Sequence, residues 1–201
     1  MEARSALECI AWRSGGVFRA RDAAKAGVHW RDLYALRDEG TLIELSRGVF
    51  RFADAEMISN LDLVAVSKRS PRGTICLNSA LSFWDLTDEV PAEVHLAVPR
   101  GSRPPSIEYP PTRAHVFAAN TFEMGREQVR LESGEEIRIY SPERSVVDAM
   151  RLRNQVGTDV AYEALRRYLR NPGASSGDLL RLARQLRTGG SMQDALEVLE
   201  G

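Results

Sequence analysis

The feature that most constrains the fold is a pair of short helical segments separated by a single glycine. Residues 21–26 and 29–39 have the apolar spacing of helices, with Leu33 and Leu36 on the inward stripe of the second. Gly27 lies between them and supplies a tight turn, because glycine adopts the left-handed conformation at little cost. The sequence therefore predicts two short helices that pack against each other.

A small hairpin is predicted directly after this helix pair. Gly40 ends the second helix, and two short apolar runs follow at residues 41–45 and 49–52. The turn between them carries Arg47-Gly48. Two helices followed by such a hairpin have the order of a winged helix-turn-helix, a module that usually places its second helix in the major groove of DNA.

The rest of the chain mixes strands and helices. Pro71 and Gly73 interrupt the pattern, so we predict two domains, residues 1–70 with the winged helix-turn-helix and residues 71–201. Strands are predicted at 74–77, 94–98, 113–117, 129–131 and 136–140, and helices at 3–13, 57–69, 79–84, 142–153, 159–170, 176–187 and 191–199. The predicted fold class is α+β, with a winged helix-turn-helix domain followed by a mixed α+β domain that ends in a helical tail.

The charges are unevenly distributed along the chain. Residues 13–52 contain 8 basic and 5 acidic side chains, and residues 142–187 contain 9 and 5. The segment between them, residues 53–141, is acidic, with 9 basic and 13 acidic side chains. A chain with a net charge of −1 is therefore still able to bind nucleic acid if its positive charge collects on one face.

Cysteine content and hydropathy indicate an intracellular protein. Cys9 and Cys76 both lie in apolar periodic stretches, so we expect buried free thiols, with a disulfide as the alternative. No run of eighteen apolar residues predicts a membrane span, and the first residues lack the apolar core of a signal peptide. We therefore expect a cytoplasmic protein without a membrane partner.

Basic and aromatic side chains on the helix pair and hairpin are the candidate DNA contacts. The outward face of the second helix carries Trp30, Arg31 and Tyr34, which would reach bases and sugars. The segment before this helix carries Arg19, Arg21 and Lys25, which would bind phosphates. The hairpin carries Arg47, which would reach the minor groove. The alternative is an ordinary solvated face, with Trp30 packed against the first helix.

A second set of arginines recurs on the outward faces of two late helices. The set consists of Arg166, Arg167, Arg170, Arg181, Arg184 and Arg187. It predicts either ordinary surface arginines or a second electropositive patch for nucleic acid or an acidic partner.

No residue pattern predicts an enzyme. The three histidines, His29, His95 and His115, are not spaced like zinc ligands, and no glycine loop would cradle phosphate. His95 is expected to be a packed strand residue, and Ser141 before Pro142 to be a helix N-cap rather than a nucleophile. The acidic group Asp85, Asp88, Glu89 and Glu93 lacks the lysine of a nuclease core. We therefore expect no catalysis, no metal and no cofactor.

Several segments together resemble the AbiEi family of antitoxins, the regulators of type IV toxin–antitoxin systems from bacterial abortive-infection operons. They are GVFRARDAAKAGVHWRDLYALRDEGTLIELSRGVFRF, TICLNSALSFWDLTDEVPAEVHLAVPRG, IRIYSPERSVVDAMR, YEALRRYLRN and DLLRLARQL. The resemblance covers nearly the whole chain. His29-Trp30 departs from the small polar residues that the family tends to have there, and the nuclease-like extension of some longer relatives is absent.

The resemblance implies two activities. The N-terminal module would bind inverted repeats in its own promoter as a pair of protomers, with Arg31 and Arg47 on the DNA. Away from DNA the protein would be a monomer or a weak dimer. The C-terminal domain would counter a cognate nucleotidyltransferase toxin, with which it need not form a stable complex, and the six late arginines would be its antitoxin surface. The alternatives are a winged-helix regulator without a toxin, and an inhibitor that binds its partner directly.

Overall fold

The computed structural model describes residues 2–56 and 58–200. The chain divides into two compact units. The first contains residues 1–73, 105–112 and 128–138, and the second contains residues 74–104, 113–127 and 139–201. Two segments that the predicted boundary at residue 70 assigned to the second domain thus belong to the first unit.

The secondary structure follows the predicted α+β order. The helices are α1 (Glu2–Arg13), α2 (Ala20–Lys25), α3 (Trp30–Asp38), α4 (Leu61–Arg69), α5 (Leu77–Phe83), α6 (Pro142–Arg151), α7 (Arg153–Val156), α8 (Thr158–Arg170), α9 (Ser176–Gln185) and α10 (Gly189–Glu200). The strands are β1 (Val17–Arg19), β2 (Leu42–Ser46), β3 (Val49–Phe52), β4 (Thr74–Ile75), β5 (Val94–Pro99), β6 (Thr112–Phe117), β7 (Arg126–Arg130) and β8 (Glu136–Tyr140). None of the helices within the described ranges is long and apolar enough to cross a bilayer.

The first unit contains a three-stranded antiparallel sheet in the order β1-β3-β2. The sequence predicted only an apolar lead-in at Val17 and Phe18, but these residues form β1, in which Val17 pairs with Arg51 of β3. A three-residue strand is too short to show a periodic pattern, so the sequence did not predict β1 or its pairing with β3. Phe18 and Phe50 lie within one core cluster with residues of α1, α2 and α3.

Two predictions for the first unit are wrong. The helix predicted to begin at residue 57 begins at Leu61, because Asn60 before it has a left-handed backbone (φ 58°); Met57 lies outside the described residues. Cys9 was expected to be buried but is exposed, since Leu7 and Ala11 occupy the buried face of α1. Cys76 is buried as expected, and both thiols are free.

The larger sheet has the strand order β6-β5-β4-β8-β7. Strand β4 pairs antiparallel with β5 and parallel with β8. Ile75, Leu96 and Ile139 are fully buried in its central strands. In the second unit the core joins this sheet to α5 and to the buried faces of α6, α8, α9 and α10.

Helix α6 begins as the sequence predicted. The Ser141 hydroxyl accepts a hydrogen bond from the backbone N–H of Arg144 at 3.2 Å, which confirms the N-cap. The Arg144 side chain is fully buried, and its Nε donates to Asp148 at 2.7 Å while its guanidinium lies 4.5 Å from the Tyr140 ring. This buried ion pair, together with the hydrogen bonds from Arg144 Nη1 to the carbonyl oxygens of Thr121 and Met124, fixes α6 within the second unit.

Candidate nucleic-acid interface

The first turn of α3 exposes an aromatic and a cationic side chain. Trp30 is 64% exposed and Arg31 is also exposed, so Trp30 does not pack into the core under α1. His29 caps the helix, because its Nδ1 accepts a hydrogen bond from the backbone N–H of Arg31 at 3.2 Å. A helix N-terminus carries partial positive charge, which suits a phosphate or a base acceptor, whereas the exposed Asp32 carboxylate in the same turn opposes an anion.

Tyr34 points outward less than the helix pattern predicted. It is half-buried and meets the Phe50 ring edge-on, with 5.8 Å between the ring centroids. The guanidinium of Arg37 covers its other side, 4.5 Å from the ring centroid. The phenol therefore helps to seat α3 on the sheet, and its role as a DNA contact stays a prediction.

A carboxylate that the sequence analysis did not single out joins the hairpin turn to α3. Glu44 Oε1 accepts a hydrogen bond from the backbone N–H of Gly48 at 2.8 Å, and its Oε2 lies 3.0 Å from Arg37 Nη1. Gly48 has φ of 73°, which favours glycine over other residues at this turn. Arg47 beside it is exposed. Glu44 thus holds the backbone of the turn from which the Arg47 side chain extends.

Three of the predicted phosphate and minor-groove contacts converge on one cavity. Arg19 precedes α2, Arg21 lies in its first turn and Arg47 lies in the hairpin turn. They line a cavity of about 180 Å³, which we name the basic groove, together with Gly48, Val49, Lys68, Arg69 and Pro71. Lys25 is exposed on α2 and is not among these lining residues.

The basic groove has more cations than local carboxylates neutralise. Arg19 Nε lies 2.9 Å from Asp22, and Arg21 lies 3.8 Å from the same side chain. Partial burial acts to raise the pKa of Asp22, but the hydrogen bond and charge of Arg19 lower it overall. Within residues 2–56 and 58–200, neither Arg47 nor Arg69 forms an ion pair with a carboxylate.

Glu135 holds one wall of the groove in place. Its side chain is fully buried, Oε1 accepts the backbone N–H of Val17 at 2.7 Å, and Oε2 lies 2.9 Å from Lys68 Nζ. Burial raises the pKa of Glu135 by more than the charge of Lys68 lowers it. Gly15 is required nearby, because a Cβ there would lie 2.7 Å from the Glu135 nitrogen.

The predicted antitoxin arginines lie in the second unit and differ in their partners. Arg167 pairs with Asp88 and Glu163, and Arg181 pairs with Asp178 at 2.7 Å. Arg166 lies 3.8 Å from Glu163. The other three are exposed and form no ion pair among the described residues: Arg170, Arg184 and Arg187.

The two strand histidines pack against each other, whereas Asp85, Asp88 and Glu89 of the acidic group are exposed. His95 is buried in β5, as expected of a strand residue, and its Nδ1 lies 3.1 Å from His115 Nε2. Within the described ranges, no group of three or more histidine, cysteine, aspartate or glutamate side chains is placed to hold a metal ion.

Comparisons with known proteins bear on the first unit and on the fold. Residues 5–53 match the family described as transcriptional regulator, AbiEi antitoxin. None of the curated proteins matches the chain in sequence. The match confirms the resemblance to the AbiEi family for the segment that forms α1 to β3, which includes the hairpin and all seven candidate DNA contacts.

A solved structure is similar along nearly the whole chain. The crystal structure of the RV2827C protein from Mycobacterium tuberculosis superposes with a TM-score of 0.50, at 15% sequence identity, over 98% of this chain and 81% of that chain. At this identity the likeness shows a shared fold. It agrees with the α+β class that the sequence predicted.

Proposed function

We propose that this chain, whose residues 5–53 match the AbiEi antitoxin regulators, is an antitoxin that represses the promoter of its own operon. The observation that carries the DNA-binding half is the basic groove beside the hairpin turn. Its lining side chains include five cations and no carboxylate. DNA is the ligand with the matching charge, because its backbone presents a regular array of phosphates.

In the proposed complex, the first turn of α3 enters the major groove. Trp30, Arg31 and Asp32 are exposed there, and of these Arg31 is able to make two hydrogen bonds to guanine. The hairpin is the wing, and Arg47 reaches the minor groove or the phosphates beside it. Two protomers bind the two halves of an inverted repeat, since a dimeric complex mirrors the symmetry of its site.

The second unit is proposed to counter a nucleotidyltransferase toxin. The family match ends at residue 53, so this half rests on the resemblance of the later segments and on the exposed arginines of α8 and α9. Arg170 and Arg184 are the candidates on these helices that no described carboxylate neutralises, and Arg187 after α9 is unpaired in the same way. The protein acts in this proposal by binding rather than by catalysis.

The DNA-binding half is tested by a titration with the DNA upstream of the gene. We expect binding that weakens steeply with salt, and a loss of about tenfold or more for Arg31→Ala combined with Arg47→Ala. Arg4→Ala is the matched control, because Arg4 is exposed on α1 and lies 3.7 Å from Asp54, which follows β3 at the end away from the wing turn.

Two outcomes would contradict this half. The first is wild-type protein that does not bind the upstream DNA or binds it independently of salt. The second is a double variant that folds and binds like the wild type, which would place the interface elsewhere on the molecule.

The antitoxin half is tested by co-expression with the product of the adjacent gene. We expect a nucleotidyltransferase reading frame there, growth arrest when it is expressed alone, and rescue by this protein. Arg170→Ala combined with Arg184→Ala should weaken rescue while promoter binding persists, and Arg181→Ala is the control because Asp178 already neutralises it. Absence of such a neighbour would favour a regulator without a toxin.

A further inference from the structure

Two cations of the basic groove come from outside the segment that matches the family. Lys68 and Arg69 are the last basic residues of α4, whereas the match ends at residue 53. The fold brings them beside Arg21 and Arg47, so that all four line one cavity. The positive surface around the wing is therefore larger than the helix-turn-helix and hairpin alone provide.

The two α4 cations differ in whether a carboxylate pairs with them. Lys68 is fixed, because its Nζ lies 2.9 Å from the buried Glu135 carboxylate and 3.4 Å from the Ser14 carbonyl oxygen. Arg69 forms no ion pair among the described residues, and its Nε is buried without a hydrogen-bond partner there. Since no described carboxylate neutralises it, the charge of Arg69 is available to an anionic ligand that enters the groove.

A neighbouring cavity extends the same surface. It measures about 260 Å³ and shares Arg19, Arg21, Lys68 and Pro71 with the basic groove; among its other lining residues are Arg138 and one acid, Glu136. Together the two cavities continue from the wing turn along the end of α4. An acceptor that enters beside Arg47 therefore meets Arg21 and Arg69 as well.

We propose that Arg69, with Arg21 and Arg47, binds a backbone phosphate of DNA that flanks the base pairs read by α3. This inference rests on the proposed DNA binding and adds α4 to the interface. Phosphate fits the groove because guanidinium groups bind it in bidentate fashion, and because the groove adjoins the wing that would already lie on the duplex. Such a contact positions the protein without reading sequence.

The test is fluorescence anisotropy with labelled upstream DNA and with a scrambled duplex, using the full chain. For Arg69→Ala we expect affinity to fall roughly three- to tenfold on both duplexes, and the slope of log affinity against log salt to fall by about 0.9. Arg69→Lys should keep the slope, because it keeps the charge. Arg72→Ala is the control, since Arg72 is an exposed arginine three residues away that does not line the groove.

The outcomes separate this inference from the proposal beneath it. If wild-type protein shows salt-dependent binding and Arg69→Ala has the same slope, or if Arg72→Ala lowers the slope equally, the phosphate site is overturned while the proposed function stands. If wild-type protein does not bind DNA, the proposed function itself is overturned. Should Arg69→Ala fail to fold, Arg69→Gln removes the same charge while keeping a longer polar side chain, and it should give the same loss of slope.

Discussion

Glu135 is buried from solvent, and its two carboxylate oxygens hold elements that are distant from it in the sequence. One oxygen accepts the Val17 N–H of β1, and the other pairs with Lys68 of α4. Both elements contribute side chains to the basic groove. Removing the carboxylate would leave a backbone donor and a mostly buried ammonium without their partner.

We therefore predict that Glu135→Ala lowers the free energy of unfolding by about 2–3 kcal/mol. Glu132→Ala is the matched control, because Glu132 is an exposed glutamate of the same connection between β7 and β8. Urea unfolding followed by circular dichroism measures both variants. Equal midpoints for the two would show that the buried carboxylate does not stabilise the first unit.

At the scale of elements, β5 and β6 are joined by a stacked pair of imidazoles. His95 and His115 have ring centroids 5.0 Å apart. Burial first, and then the charge of His95, lowers the pKa of His115 to about 4. The pKa of His95 is lowered as well, mainly by burial. The folded second unit thus holds both rings neutral over a range in which unfolded histidines take up protons.

The sign of the pH effect follows from this difference. Between about pH 6.5 and pH 4 these two histidines bind more protons in the unfolded chain than in the folded chain, so their contribution to stability should fall as the pH is lowered. We predict that, over this pH range, the free energy of unfolding falls by about 1–2 kcal/mol less in His115→Gln than in the wild type. Urea unfolding at several pH values measures the difference. If the free energy of unfolding changes equally with pH in the variant and the wild type, His115 is not the source of the pH dependence.

The same scale shows what the sequence was able to predict. Long amphipathic helices such as α8 and the capped start of α6 were predictable, because their periodicity and capping residues are local. Strand β1 was not, since three residues carry no period and their burial depends on β3. The candidate site also contains residues that local signals predict and residues that only tertiary packing places. Arg47 follows from a local turn signal, whereas the convergence of Arg69 on it depends on tertiary packing.

At the scale of the whole molecule, the two units are interleaved along the chain. Residues 105–112 and 128–138 return to the first unit after the second has begun. A fragment that begins at residue 71 would lack the β1 and α4 partners of Glu135. We predict that residues 71–201 expressed alone are less soluble and unfold at lower urea concentration than the full chain.

Size-exclusion chromatography and urea unfolding of the fragment measure this prediction. The matched control is the full chain with Arg47→Ala, which removes a groove cation and keeps every segment in place. A fragment that is monomeric and as stable as the full chain would show that the returning segments fold without residues 1–70. For the same reason, the two proposed activities are better separated by point variants than by truncation.

The long reach of Glu135 also bears on how the protein is made. Val17 leaves the ribosome 118 residues before the carboxylate that accepts its N–H. At bacterial and eukaryotic synthesis rates of about 5–20 residues per second, that interval is roughly 6–24 seconds. The helix pair and hairpin emerge first, yet the wall of their groove is completed only when two thirds of the polypeptide exist. A nascent chain that ends before residue 135 would therefore lack the carboxylate that holds one wall of the basic groove.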